Sequence, residues 1–194
     1  MARLAVFASG TGSNFVAIAA ALKAAPRHSL EFLLCDVPGA AVLKRAAELK
    51  VPTVLMPYAK GESRQAVEKK MVRHLERRGV DVVALAGFMK LLTPYFLEAF
   101  KGPVLNLHPS LLPKYPGGHA IEESYRAGDE ELGISVIRVD AGVDTGPVLL
   151  QKSFRREGAE TLEQVETRIH ELEHRWFPFV ILRTLDEIGG VIQQ

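Results

Sequence analysis

The sequence predicts a single α/β domain: a mostly parallel, twisted sheet of about seven strands with helices on both faces. Its N-terminal half reads as Rossmann-like, and its C-terminal half carries an antiparallel addition. Three observations predict this. Short apolar runs alternate with stretches of helical period, the pattern of βαβ units. Val80 to Ala86 (VDVVALA) is apolar nearly throughout, as a parallel strand covered on both faces should be. With 194 residues, 47% of them hydrophobic and 24% charged, the chain has the size and composition to bury one core.

Arg3 to Ala8 (RLAVFA) reads as the first strand, ended by the glycine-rich SGTGSN of Ser9 to Asn14, after which a helix runs to about Ala25. A strand over Leu30 to Cys35 precedes a helix of good formers over Ala40 to Lys50. A short strand over Pro52 to Met56 precedes a charged amphipathic helix over Glu62 to Arg78. After the apolar strand at Val80 to Ala86, Thr93-Pro94 reads as an N-cap and first helical residue, opening a helix to about Phe100. Gly102-Pro103 introduces the strand carrying Asn106 and His108, and a short helix follows near Ile121 to Ala127. Strands over Ile134 to Val139 and Val148 to Phe154, joined by the turn-rich DAGVDTGP, are the expected antiparallel pair, and a long helix starts at Thr161.

The balance of 24 Lys and Arg against 23 Asp and Glu leaves a formal charge of +1, which gives no reason to expect nucleic acid or a membrane surface as partner. A basic run from Lys69 to Arg78 is interrupted by Glu76 and reads as the solvated face of a helix. Cys35 is the only cysteine, which excludes an intrachain disulfide, and its apolar neighbours suggest a buried thiol. The N-terminal apolar run is too short for a signal peptide and the longest apolar run, Val82 to Met89, is far below a membrane span. A reducing, cytoplasmic location is the expectation.

Gly10-Thr11-Gly12-Ser13-Asn14 lies between the first strand and first helix, where backbone N–H groups and the positive helix end face an anion, most simply a phosphate. Ser13 or Asn14 is placed to cap that helix. A P-loop would need a lysine where none stands before Lys23, and a dinucleotide fingerprint would need glycine where Phe15 stands, although Asp36 follows at a suitable distance.

Val104 to Gly118 (VLNLHPSLLPKYPGG) places Asn106 and His108 two apart on a strand, so both side chains project to one side, beyond the carboxyl end where parallel sheets bind ligands. An amide and an imidazole together can bind a carbonyl oxygen that becomes an oxyanion. Pro109, Pro113 and Pro116 stiffen the following loop and are expected to hold it open beside the site. In Asp140-Ala-Gly-Val-Asp144-Thr-Gly-Pro, turn chemistry alone accounts for Asp and Gly; the functional reading is that one aspartate faces His108, favours its charged form and relays a proton. The residues leave Asp140 and Asp144 as alternatives. His170-Glu-Leu-Glu-His174 matches the HExxH zinc pattern, but catalytic zinc needs a third protein ligand, and a polar helix face is the stronger reading.

ASGTGSN at 8–14, LAGFMKLLTP at 85–94, NLHPSLLPKYPGGH at 106–119, GDEELGISV at 128–136 and VDTGPVL at 143–149 resemble, in order and spacing, the folate-dependent phosphoribosylglycinamide formyltransferases, or GAR transformylases. The resemblance covers about Arg3 to Pro178. It implies the formyltransferase fold and transfer of a formyl group from 10-formyltetrahydrofolate, as co-substrate, to the amine of glycinamide ribonucleotide in purine synthesis. Its catalytic residues fall on Asn106, His108 and Asp144, which chooses between the two aspartates. Gly10, Thr11, Gly12, Ser13 and Asn14 would hold the nucleotide phosphate and Glu173 the ribose hydroxyls. Arg64, Leu85, Phe88, Met89, Lys90, Leu91, Leu92, Asn106, Val139, Asp140 and Asp144 would form the folate site. Residues 1–100 would then be the nucleotide-binding half and 101–194 the catalytic and folate-binding half, with no metal required and a monomer or homodimer as the assembly. A cis bond at Leu112-Pro113 is also implied. Lys90 stands where arginine is common, His170 where glutamine is frequent, and residues 118–121 depart from the usual loop.

The alternatives predict different behaviour. A 10-formyltetrahydrofolate hydrolase would release formate to water, a nucleotide-binding regulatory module would not need His108, and a zinc hydrolase would lose activity to a chelator.

Overall fold

Seven strands form one sheet in the order β3-β2-β1-β4-β5-β6-β7. The structure, a computed structural model, describes residues 1–190. The strands are β1 (Arg3–Ala8), β2 (Ser29–Cys35), β3 (Thr53–Leu55), β4 (Val82–Leu85), β5 (Val104–His108), β6 (Glu131–Arg138) and β7 (Val148–Arg155). The helices are α1 (Ser13–Ala24), α2 (Ala41–Glu48), α3 (Arg64–Arg78), α4 (Pro94–Ala99), α5 (Ala120–Arg126) and α6 (Leu162–Ile188). The first five strands are parallel, and β6 and β7 join antiparallel, as the sequence predicts.

Alternation along the buried strands sorts the helices onto two faces. Leu4, Val6, Ala8, Leu33 and Val82 point to one side and pack with Phe15 and Ile18 of α1, Val42 of α2 and Phe177 of α6. Ala5, Phe7, Phe32 and Val83 point to the other and pack with Met71 and Leu75 of α3 and with Phe96 of α4. The N-cap of α6 is Thr161, which forms a capping box with Gln164. The helix continues through Pro178, whose ring nitrogen has no hydrogen to give the preceding turn.

Two expectations are corrected. The first strand of the antiparallel pair begins at Glu131, three residues before Ile134, because Glu131, Leu132 and Gly133 pair across to Arg155, Phe154 and Ser153. Neither Ser13 nor Asn14 caps α1; the N-cap is Gly12, at φ 80, with no side-chain cap bond. Thr93 is the N-cap of α4 and Pro94 its first residue, as expected, although the Thr93 hydroxyl donates to Glu68 and accepts no helix N–H.

Candidate active site

From β1 the chain moves outward to β2 and β3, then returns to lay β4 on the other side of β1. That reversal opens a crevice at the carboxyl ends of β1 and β4, the usual ligand position in a doubly wound sheet. The glycine loop fills the β1 side of it. Gly12 needs its glycine twice over: φ is in the left-handed region, and a Cβ would run into the Val42 side chain. The Val42 N–H donates to the Gly10 carbonyl at 3.1 Å, pinning the loop to α2. With no side chain capping α1, the first-turn N–H groups are left for an anion.

A cavity of about 360 Å³ opens on this loop, lined by Gly10, Thr11, Gly12, Ser13 and Asn14 together with His170 and Glu173 of α6. Asn14 Nδ2 donates to Glu173 Oε2 at 3.0 Å, and His170 Nδ1 lies 2.8 Å from the same oxygen. The hydrogen bond to Glu173 raises the His170 pKa above its ordinary value, against the opposing effect of burial. Among the described residues no Lys or Arg lines this cavity, so backbone dipoles supply most of its attraction for an anion.

A second cavity, about 280 Å³, is lined by Leu85, Phe88, Lys90, Leu91 and Leu92 on one side and by Asn106, Val139, Asp140 and Asp144 on the other. Arg64, at the start of α3, also contributes to its lining. The expected folate-site residues therefore gather in one place, with one displacement. Met89 instead lines the glycine-loop cavity and is 73% exposed.

Between the two cavities lies the end of β5, with Asn106 on the second and Leu107 and Pro109 on the first. Asp144, at φ 53, gathers this region. Its Oδ1 accepts from Asn106 Nδ2 at 3.3 Å, while Oδ2 accepts from the Gly117 N–H at 2.9 Å and lies 3.3 Å from His108 Nδ1. Asp140 does something else: its Oδ1 takes the Gly142 N–H and the Thr145 hydroxyl, so it organises the turn. His108 is 3% exposed, and its Nε2 is 2.7 Å from the Tyr115 carbonyl oxygen. Both ring nitrogens thus face acceptors, and only the imidazolium can donate to both. The proline loop is not held open, as its stiffness suggested: Tyr115 and Gly117 bring its backbone onto His108 and Asp144. The Leu112-Pro113 bond is cis, as the resemblance implied.

The formyl transferase family model matches residues 2–181. The chain belongs to the formyl transferase family. It is 42% identical to the phosphoribosylglycinamide formyltransferase of Bacillus subtilis over 95% of each chain. It is 37% identical to the trifunctional purine biosynthetic protein adenosine-3 of Drosophila melanogaster, over 91% of this chain and 13% of that protein. Among solved structures, glycinamide ribonucleotide transformylase 1 of Geobacillus kaustophilus superposes with a TM-score of 0.91 at 45% identity, covering 95% of this chain and 99% of that one.

In this family member the HExxH pattern is put to another use. His170 and His174 stack at 6.3 Å on one face of α6, but Glu173, inside the pattern, is tied to Asn14 and His170. Among the described residues no three His, Cys, Asp or Glu side chains stand together as a metal site. None of the helices among the described residues is long and apolar enough to cross a membrane.

Three groups at this transferase's site escaped the sequence reading. Ser9 bridges Asp36 and the Met89 amide. Glu68, fully buried on α3, receives both the Thr93 N–H (2.9 Å) and the Thr93 hydroxyl, holding the segment that walls the second cavity. Tyr115 supplies a carbonyl to His108. The one available signal was Asp36, whose distance from the glycine loop suggests a ribose contact; its carboxylate binds Ser9 instead.

Proposed function

We propose that this enzyme transfers the formyl group of 10-formyltetrahydrofolate to the primary amine of glycinamide ribonucleotide, giving formylated ribonucleotide and tetrahydrofolate. The observation that carries the reading is Asp144, one carboxylate that gathers Asn106 and His108 at the end of β5, the strand that lends residues to both cavities. The glycine-loop cavity takes the phosphate on backbone N–H groups, and Glu173 takes ribose hydroxyls. The second cavity takes the folate, with its apolar wall against the ring system and Arg64 and Lys90 towards the anionic tail.

The amine nitrogen attacks the formyl carbon, and the carbonyl oxygen becomes an oxyanion stabilised by the Asn106 amide and the cationic His108 ring. A direct hydrogen bond from Nε2 to that oxygen requires the Tyr115 carbonyl to move aside. The carbon–nitrogen bond to folate N10 then breaks, and the proton lost by the amine passes to N10 with Asp144 assisting. Every proton and electron pair is accounted for by the two reactants and these three side chains.

An acceptor comparison tests the reading. Purified protein with 10-formyltetrahydrofolate is offered glycinamide ribonucleotide, initiator methionyl-tRNA or water alone, with and without a chelator. The expected result is tetrahydrofolate formation that requires the ribonucleotide and ignores the chelator. Formate release independent of the ribonucleotide would make the protein a hydrolase.

A further inference from the structure

We propose that Ser9, with Asp36 behind it, is a positioning residue for the transfer. Its hydroxyl fixes the wall between the two cavities and so sets how the two substrates meet. The inference rests on the assignment of those cavities to a nucleotide and a folate.

The wall is the segment that leaves the sheet after β4. Phe88 and Lys90 face the folate-side cavity, whereas Gly87 and Met89 face the nucleotide side. Its backbone is tied to the end of β1 by three bonds. Ala86 N–H donates to the Phe7 carbonyl at 2.8 Å, Ser9 N–H to the Gly87 carbonyl at 3.0 Å, and Met89 N–H to Ser9 Oγ at 2.9 Å. The last is the farthest from the sheet and the one that runs through a side chain.

That side chain is preset. Ser9 and Asp36 are 8% and 5% exposed, and Ser9 Oγ donates to Asp36 Oδ1 at 2.6 Å. A serine hydroxyl has one hydrogen; once a carboxylate holds it, the oxygen's lone pairs are left to face the Met89 N–H. Asp36 follows β2, Ser9 follows β1 and Met89 follows β4, three strands adjacent in the sheet. One hydroxyl therefore laces three strand ends together at the crevice where the topology reverses. An amine and a formyl carbon must meet within a few tenths of an ångström of the reactive geometry, and a misplacement of about 1 Å can cost about a hundredfold in rate. A wall with one end loose would lose rate in this way while each ligand still found its own cavity.

The test is a double-mutant cycle on the full chain with Ser9→Ala, Asp36→Asn and the double variant. Measurements are the single-turnover transfer rate at saturating 10-formyltetrahydrofolate and glycinamide ribonucleotide, each ligand's Kd, and hydrogen exchange at the Met89 amide. Ser9→Ala should slow transfer by about ten- to a hundredfold, with each Kd changing by less than about threefold. The double variant should be no slower than Ser9→Ala alone, because Asp36 acts through Ser9. Exchange at Met89 should rise in both single variants. Transfer at the parent rate in Ser9→Ala, additive losses in the double variant, or a loss confined to Kd would each overturn the proposal. Should the parent not formylate the ribonucleotide, the functional reading fails separately. Met89 exchange still reads the link, and unchanged exchange in Ser9→Ala would overturn it alone.

Discussion

The two cavities are built by opposite means. The glycine-loop cavity is a backbone site: a glycine loop, uncapped N–H groups at α1 and, among the described residues, no Lys or Arg in its lining. The second cavity is a side-chain site, with apolar groups from the segment after β4 and from β6, and with Arg64 and Lys90 as its cations. A phosphate has one small, fixed shape that backbone dipoles can match, whereas a folate offers a flat ring system and a separate anionic tail. The difference predicts that damage to one site should leave binding at the other intact.

The largest expected effect lies between them. Asp144→Ala leaves Asn106, His108 and the Gly117 N–H without their shared acceptor, and transfer should fall by about a thousandfold. Loss of binding in either cavity, measured by equilibrium titration, would show that Asp144 builds the cavities instead of serving the step between them.

Gly12→Val should raise the nucleotide KM at least tenfold and leave the folate KM within about twofold. The left-handed backbone and the Val42 collision should also lower stability by about 1–3 kcal/mol, read by denaturant titration. Glu68→Ala is the mirror experiment. It strands the Thr93 N–H and hydroxyl, so about 1–3 kcal/mol of stability should go with a raised folate KM and an unaltered nucleotide KM. If either variant moves both KM values equally, the two cavities are not independent.

The smallest effect concerns His170. Its folded pKa is raised by Glu173, so its contribution to stability is fully present below the unfolded value of about 6.5 and is lost as pH rises through the higher folded value. His170→Gln should therefore lower Tm relative to the parent more at pH 6 than at pH 9. A pH-independent difference would mean that the pair with Glu173 does not act as an ion pair.

How much of this was legible in the sequence follows from what each feature is made of. The glycine loop could be read because a left-handed turn and a close backbone approach demand glycine. Asn106 and His108 could be read because period-two spacing at a strand end fixes a shared side. Asp140 and Asp144 could not be separated from residue chemistry, since a tight turn uses aspartates for its own N–H groups; the resemblance chose Asp144, and the fold places it on His108 and leaves the other to Thr145. Ser9 and Glu68 were illegible because their partners are remote: the Met89 amide is 80 residues from Ser9, and Thr93 is 25 from Glu68. The proline loop misled because proline content reports stiffness and says nothing of where the Tyr115 carbonyl points. The start of β6 was missed because Gly133 has no β preference of its own; it is accommodated where a Cβ would strike the Lys152 carbonyl.

The central claim is that two cavities bind and the three side chains between them react. The most direct test is His108→Ala with both ligands present, comparing each Kd with the single-turnover formyl-transfer rate. The account predicts Kd values within about threefold of the parent and a rate lower by about two to three powers of ten. A rate close to the parent's, or a loss explained wholly by weaker binding, would contradict it.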